Sequence, residues 1–201
     1  MASSNIVVCN LSLGHLAITK GIASLTEASK EARACNQFFE TSIRETMRDG
    51  NWAFCAKFAA LALVEADPTE EWAYSYGYPT DCLNFRRILS GTRNDSHQSK
   101  VRFKRASIDN VQVILTDKED AESEFTFYNT NVQQWPDDFV MAASLRLAGY
   151  IAPALTGADP FKLGERAMLM YSRQILMAGD NSANEEQPDI EPPSEFESAR
   201  S

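Results

Sequence analysis

Four large aromatic side chains alternate along the stretch WAYSYGYP, residues 72–79, and a proline ends the run. A spacing of two residues is that of an extended strand, in which alternate side chains point to the same face. We therefore predict an extended aromatic segment whose four rings all lie on one side. The signature formed by this segment and the turn after it comprises Trp72, Tyr74, Tyr76, Tyr78, Pro79, Asp81, Cys82 and Leu83.

The residues after Pro79 predict the first turn of a helix. Proline suits that position because its φ is already fixed and its missing N–H is not needed there. Cys82, Phe85 and Leu89 then recur at helical spacing, so they predict a buried helical face. On this interpretation the aromatic segment is a structural joint from which a core helix leaves.

Apolar residues at helical spacing also occur along most of the remaining chain. Gly50 is expected to end the helix at about 28–47 in a left-handed conformation, which glycine adopts at little cost. Gly179 is expected to end the last one. The further predicted helices lie at about 10–18, 28–47, 52–65, 135–157 and 160–178.

Between about residues 100 and 130 the apolar pattern changes from helical spacing to alternation. The segments VRFKR, VQVIL and EFTFYN predict about three short strands. The predicted fold is therefore mainly α: a bundle of about four to five helices, a small antiparallel β insertion at about 100–130 and a disordered acidic C-terminal tail. We place the folded domain at 1–178 and the flexible tail at 179–201.

The chain is acidic, and the charge is concentrated near its end. Its formal net charge is −9, from 28 acidic and 19 basic residues. Residues 180–201 hold seven acids and one base, and so carry −6 of that charge. With three prolines and little apolar surface, this segment is expected to be a solvated tail or one that orders on a partner. An acidic chain is poorly suited to wrapping nucleic acid, but it could line a channel through which DNA slides.

No pattern in the sequence predicts catalysis. A cysteine nucleophile needs a nearby base, and nothing in the sequence places His15 or His97 beside Cys82. Four cysteines and two histidines without ligand spacing give no basis for a zinc site. No glycine-rich phosphate loop, GxSxG or HExxH motif occurs either. We therefore expect neither an enzyme nor a bound cofactor or metal.

Arg102, Lys104 and Arg105 form the only dense basic cluster. Arg102 and Lys104 are expected on one face of a strand whose other face carries Val101 and Phe103. An exposed strand face, or one that pairs with an acidic neighbouring subunit, accounts for these charges. A nucleic-acid contact is the alternative, although such patches usually hold more positive charge and interleaved aromatic residues.

The sequence opens without a basic and then apolar leader, and no apolar run approaches the ~20 residues of a membrane span. The four cysteines are widely spaced, which is typical of reduced thiols in a protein made in a cytosol. We expect a protein that is neither secreted by a standard signal nor inserted in a membrane.

Three segments, taken in order, resemble a known family. The first is E-x-S-x-E-A-R-x-C at residues 27–35, followed by R-D-x-x-W-x-F at 48–54. The second is W-x-Y-x-Y-x-Y-P-x-D-C-L-x-x-R-x-I at 72–88, and the third is F-x-x-A-x-x-x-x-L-A-x-x-I-A-x-x-L-T-G at 139–157. In this order the chain is similar to tail tubular protein A, the family of head-to-tail adaptors, or gatekeepers, of short-tailed bacteriophages.

The resemblance implies a structural virion protein without enzymatic activity. Its subunits are expected to close into a ring, usually of twelve copies, below the portal protein. The ring would continue the DNA channel without sequence-specific binding and contact the tail nozzle (tail tubular protein B), with tail fibres as a further candidate partner. The chain would be made in the host bacterial cytoplasm and reside in the virion tail.

Two alternatives to this function stay open. One is a DNA-packaging or DNA-binding accessory factor that uses the strand with Arg102, Lys104 and Arg105. The other is a small hydrolase built on Cys82. Each would depend on side chains that a purely structural subunit does not need.

Overall fold

The computed structural model describes residues 4–92, 100–158 and 162–185. They divide into two compact units, one from Met1–Ala56 with Thr126–Ser182 and the other centred on Lys57–Phe125. Of the described residues 44% are helical and 26% are in strands, forming four helices and two antiparallel sheets. The prediction of a mainly α helical bundle with a small β insertion is therefore wrong. The fold is α/β, with a β unit inserted in sequence between the two parts of a helical unit.

The elements are named in chain order. The helices are α1 (Asn5–His15), α2 (Lys30–Asp49), α3 (Asp137–Leu155) and α4 (Leu163–Glu185). The strands are β1 (Ala56–Ala60), β2 (Leu63–Thr69), β3 (Trp72–Gly77), β4 (Cys82–Ile88), β5 (Phe103–Ile108), β6 (Val111–Thr116) and β7 (Glu122–Phe127). Short 3-10 turns lie at Ala53–Cys55 and Val132–Gln134.

The predicted helix at 135–157 is confirmed as α3, which forms the centre of the helical unit. It packs against both α1 and α2, and Phe139 and Ile151 are completely buried. Near its start, the ring of Phe139 contacts those of Trp52, Phe54 and Trp135 at centroid distances between 4.9 and 5.2 Å. Burial of a large side chain is worth ~1.5–3 kcal/mol, so this aromatic cluster holds the start of α3 firmly.

The helix α2 begins and ends close to its predicted bounds, although its end has a different geometry. Ser29 caps it by accepting a hydrogen bond from the Ala32 amide at 3.2 Å. Gly50 follows the last helical residue, but its φ of −107° is extended, so the predicted left-handed conformation is wrong. Glycine is needed there because the Trp52 indole folds back to donate to the Thr46 carbonyl at 2.8 Å. A Cβ at position 50 would lie 2.3 Å from the indole nitrogen.

The predicted helix at 52–65 is wrong. Ala53–Cys55 form a single 3-10 turn, and β1 and β2 follow. The Ala-rich sequence favours a helix, but β1 pairs with β7 and β2 pairs with β3 instead. Helix propensity differs by less than about 1 kcal/mol between ordinary residues, so strand pairing overrides it. Apolar residues on nearly all sides also leave no periodicity with which to distinguish a helix from a strand.

Two sheets make up the β unit, with strand orders β1-β7-β4 and β2-β3-β6-β5. The predicted strands at 111–115 and 124–129 are confirmed as β6 and β7, but they belong to different sheets. Two hairpins, β2–β3 and β5–β6, stay within the larger sheet. The second turns at Asp109 and Asn110, whose φ values of 47° and 64° suit twisted strands. The short connections β1–β2, β3–β4 and β6–β7 each pass from one sheet to the other.

The first and last helices extend beyond their predicted bounds. α1 begins at Asn5 rather than near Asn10, because Ser4 caps it by accepting from the Val7 amide at 3.2 Å. α4 continues through Gly179 to Glu185, so the predicted end at Gly179 is wrong. The rest of the predicted acidic tail, residues 186–201, lies outside the described residues.

The length and apolarity of α3 match those of a membrane span, with a mean hydropathy of 1.2. It is the one helix in the described part of the chain that does so. However, 61% of the apolar stretch is buried inside the protein. The core helix of a soluble protein passes the same test, so this composition is weak evidence for a membrane.

We predict that Gly50→Ala destabilises the protein by ~1–3 kcal/mol, because the new Cβ overlaps the Trp52 indole that closes α2. The matched control is Gly14→Ala in α1, where an added Cβ meets nothing within 4 Å. That control should be neutral or stabilising by up to about 1 kcal/mol. Thermal or denaturant unfolding measures both, and equal midpoints for the two variants would contradict the packing described at Gly50.

Candidate functional site

Tyr76 is the most deeply embedded residue of the aromatic signature. It is 3% exposed and lies in the middle of β3, where it pairs with Ile114 of β6. Its hydroxyl donates to the Lys118 carbonyl at 3.0 Å and accepts from the Ala121 amide at 3.4 Å. Both partners belong to the connection from β6 to β7. Tyr76 therefore fixes the place at which that connection leaves the larger sheet.

Trp72 does not share a face with the tyrosines. It is buried against Val113 and Leu115, which alternate with the β6 residues that pair with Tyr74 and Tyr76. The prediction that all four rings lie on one side is therefore wrong for Trp72. The pairing of β3 with β6 ends at Tyr74, and the register of β3 against β2 shifts between Tyr74 and Trp72, so the alternation is interrupted there.

The turn after β3 is a joint between two sheets and does not begin a helix. β3 belongs to the larger sheet and β4 to the smaller one, so the predicted helix after Pro79 is wrong. The Cys82 amide donates to the Pro79 carbonyl at 3.1 Å, and Lys57 forms an ion pair with Asp81 at 2.5 Å. Leu83 is half-buried in β4.

Spacing within β4 explains why the sequence pattern indicates a helix. Phe85 and Ile88 are both buried although they are three residues apart in a strand. Such a spacing imitates a helical face. The ring of Phe85 packs on Phe103 of β5 at a centroid distance of 4.9 Å, which joins the smaller sheet to the larger one.

Cys82 lies in a half-buried cluster with Tyr78 and Arg105. Its thiol donates to the Tyr78 hydroxyl at 3.2 Å, and the Arg105 guanidinium stacks 4.7 Å from the centre of the Tyr78 ring. Burial raises the pKa of the Cys82 thiol and raises the pKa of Tyr78 to about 12. A nucleophilic cysteine needs a lowered pKa, so these surroundings oppose the hydrolase alternative.

The histidines and acidic residues are the remaining candidates for catalytic or metal-binding groups. His15 lies 3.1 Å from the buried Ser144 hydroxyl, within the helical unit, and His97 lies outside the described residues. Across residues 4–92, 100–158 and 162–185, no group of three His, Cys, Asp or Glu side chains could hold a metal ion.

The three basic residues of the possible interface differ in their surroundings. β5 is the edge strand of the larger sheet and begins at Phe103, two residues after the predicted start. Arg102 stacks 4.1 Å from the centre of the Trp72 ring and lies 3.6 Å from Asp117. Lys104 and Arg105 point to opposite faces of β5, and neither forms an ion pair with an acid among the described residues.

A shallow cavity of about 310 Å³ lies beside Arg105. The residues that line it include Arg105, Ser107 and Gln112, which have polar side chains, together with Tyr78 and Val113. Arg105 and Ser107 are exposed. The surface formed by Lys104, Arg105, Ser107 and Gln112 is called the β5 edge surface below.

Arg146 is a central residue that the sequence analysis misses. It is 8% exposed in α3 and forms ion pairs with Glu45 and Asp49 of α2, the first at 2.9 Å. It also donates to the Tyr171 hydroxyl of α4 at 2.6 Å, and Tyr171 in turn donates to Asp49 at 3.0 Å. This network connects three helices. The sequence holds one indication of this role: an arginine lies among the apolar residues of the predicted helix at 135–157.

The sequence matches no protein-family model, and a search of curated proteins finds no match. A family assignment therefore depends on the three motif segments. In the structure these segments supply buried residues to both units, among them Cys35, Trp52, Tyr76, Phe139 and Ile151. They are packing motifs, which relate to a fold more directly than to a reaction.

We predict that Tyr76→Phe lowers the free energy of unfolding by ~1–3 kcal/mol, because the Ala121 amide and Lys118 carbonyl lose their partner. Tyr74→Phe is the matched control on the same strand. Its hydroxyl has no hydrogen-bond partner among the described residues, so its removal should change stability by less than about 0.5 kcal/mol. Denaturant unfolding separates the two, and indistinguishable curves would refute the bridging role of Tyr76.

We predict that stability falls as the pH rises from 10 to 12. Burial raises the pKa of Tyr171 from 10.0 to about 12 in the folded protein. A group whose pKa is raised by folding contributes stability that is complete below its unfolded value and is lost as pH passes its folded value. Tyr171→Phe should therefore show a shallower decline than wild type in this range and a parallel curve near neutral pH. Identical alkaline declines would contradict the burial of this hydroxyl.

Proposed function

We propose that this chain is a structural subunit of a short-tailed bacteriophage virion, a head-to-tail connector that closes with copies of itself into a ring. The observation that carries the proposal is the order of the three motif segments along residues 27–157, which resembles tail tubular protein A. The burial of motif residues in both units supports it, because a likeness in packing residues is a likeness in fold.

In the helical unit, exposed apolar side chains support the part of the proposal in which copies of the chain contact one another. On α4, Leu169, Leu176 and Met177 are 57%, 71% and 61% exposed. Apolar residues grouped on a surface commonly mark contacts with another protein.

The β unit exposes a second apolar group on the edge strands β1 and β2. Phe58, Leu63 and Val64 are 60%, 57% and 56% exposed. Two unlike apolar surfaces on one chain suit a head-to-tail contact between copies, in which different surfaces meet. Such contacts generate a ring when the rotation closes.

The charge of the chain suits a channel for DNA. With a net charge of −9, copies arranged around a lumen would repel the phosphate backbone and leave the DNA free to move. In this proposal the ring, of about twelve copies, lies between the portal protein and the tail nozzle, with tail fibres as further partners. The chain is made in the bacterial cytoplasm and ends in the virion.

A second candidate function is a DNA-packaging or DNA-binding accessory factor. Lys104 and Arg105 favour it, because they have no acidic partner among the described residues. Arg102 does not contribute freely, since it stacks on Trp72 and lies beside Asp117. Two available cations on opposite faces of one strand form a small patch compared with those of typical nucleic-acid-binding proteins.

Light scattering coupled to size exclusion tests the proposal. We expect the purified chain, alone or with portal protein, to form a closed assembly of about twelve copies. Lys104→Glu with Arg105→Glu should leave that mass unchanged. A monomer that ignores portal protein and shifts DNA in a salt-dependent manner, with the shift abolished by this double variant, would favour the accessory factor instead.

A further inference from the structure

The β5 edge surface carries positive charge that the described residues do not neutralise. β5 ends the order of strands in its sheet, so one side of its backbone has no strand partner among the described residues. Lys104 and Arg105 are exposed there. An edge strand with basic side chains can accept an extended acidic segment.

Arg105 is held in position rather than extended into solvent. Its guanidinium lies over the Tyr78 ring, 4.7 Å from the ring centre, which is within the range of a cation–π contact. Ser107 and Gln112, whose side chains can donate hydrogen bonds, line the same cavity. A carboxylate can therefore meet a cation and neutral donors at the same place.

The chemistry of this surface favours carboxylates over a phosphate backbone. Two cations on opposite faces of one strand do not match the closely spaced phosphates of DNA. The chain as a whole is also strongly acidic, and so repels a phosphate backbone. An extended peptide with acids several residues apart can reach one cation on each side of the edge.

This polypeptide contains such a peptide. The segment 186–201 has five acids and one base: Glu186, Asp189, Glu191, Glu195, Glu197 and Arg200. Its three prolines lack the N–H that a continuous strand ladder requires, so carboxylate contacts would have to supply most of the binding.

We propose that the acidic segment 186–201 of this chain binds the β5 edge surface through carboxylates on Lys104 and Arg105. Neither the ring nor the portal contact is needed for this inference. The segment thereby covers an exposed sheet edge, which would otherwise be open to pairing with other strands.

Zero-length carbodiimide crosslinking of the full chain tests the proposal. The reagent joins a lysine amine to a carboxylate in direct contact, with loss of water, and mass spectrometry identifies the joined peptides. We expect Lys104 to be joined to acids of the segment 186–201. Lys30, an exposed lysine of α2, provides the comparison and should form few such links.

The matched variants are Arg105→Glu and Arg33→Glu, each of which reverses one exposed arginine. Arg105→Glu should lower the yield of the Lys104 crosslink roughly threefold or more, the scale of one exposed ion pair, and Arg33→Glu should not. Arg105→Gln, a milder change, should lower it in the same direction, and added salt should lower it in the wild-type chain.

Three results would overturn the proposal. One is crosslinks from the segment spread evenly over Lys104 and Lys30. Another is an equal effect of Arg105→Glu and Arg33→Glu. The third is protection of Lys104 from acetylation by duplex DNA at physiological salt in a chain that forms no Lys104 crosslink, which would identify nucleic acid as the occupant.

Discussion

The β unit depends on the hydrogen bonds of one buried hydroxyl, that of Tyr76. The short connections β1–β2, β3–β4 and β6–β7 each lead from one sheet to the other. A shift in any of them would change the register of the strand that follows. Tyr76 links its own strand to the Lys118 carbonyl and the Ala121 amide on another of these connections. The position of the β6–β7 connection is thereby set relative to β3. The interpretation of the aromatic signature as a structural joint is consistent with this role, although the joint connects two sheets.

The helical unit uses polar contacts in a comparable way. Arg146 of α3 joins carboxylates of α2 to Tyr171 of α4, in a setting where an unpaired charge would be costly. The packing of α3 on α1 and α2 buries apolar surface. Such packing specifies the placement of a helix less strictly than directional hydrogen bonds do. The exposed apolar residues of α4 lie on the same helix as Tyr171. The network therefore also positions these exposed residues.

Elements with one dominant periodicity could be predicted from the sequence, and elements without one could not. α2, α3 and β6 combine clear spacing with caps or flanking turns, and their type and place were predictable. The edge strand β1 is Ala-rich, the edge strand β2 continues the same apolar stretch, and β4 buries residues three apart, so their sequences resemble helices. In the candidate site, alternation placed Tyr74 and Tyr76 together but not Trp72, because the pairing with β6 ends at Tyr74 and the register against β2 shifts before Trp72. The partners of Tyr76 and Arg146 come from distant positions that no local pattern indicates.

Together, these contacts describe a chain whose buried aromatic and polar groups hold its exposed surfaces in place. The central claim is that copies of this chain close around a hole. Electron microscopy of negatively stained particles, prepared alone and mixed with portal protein, tests it most directly. The account predicts annular particles with a stain-filled centre that attach coaxially to portal rings. Compact particles without a central hole, which remain separate from portal rings, would contradict it.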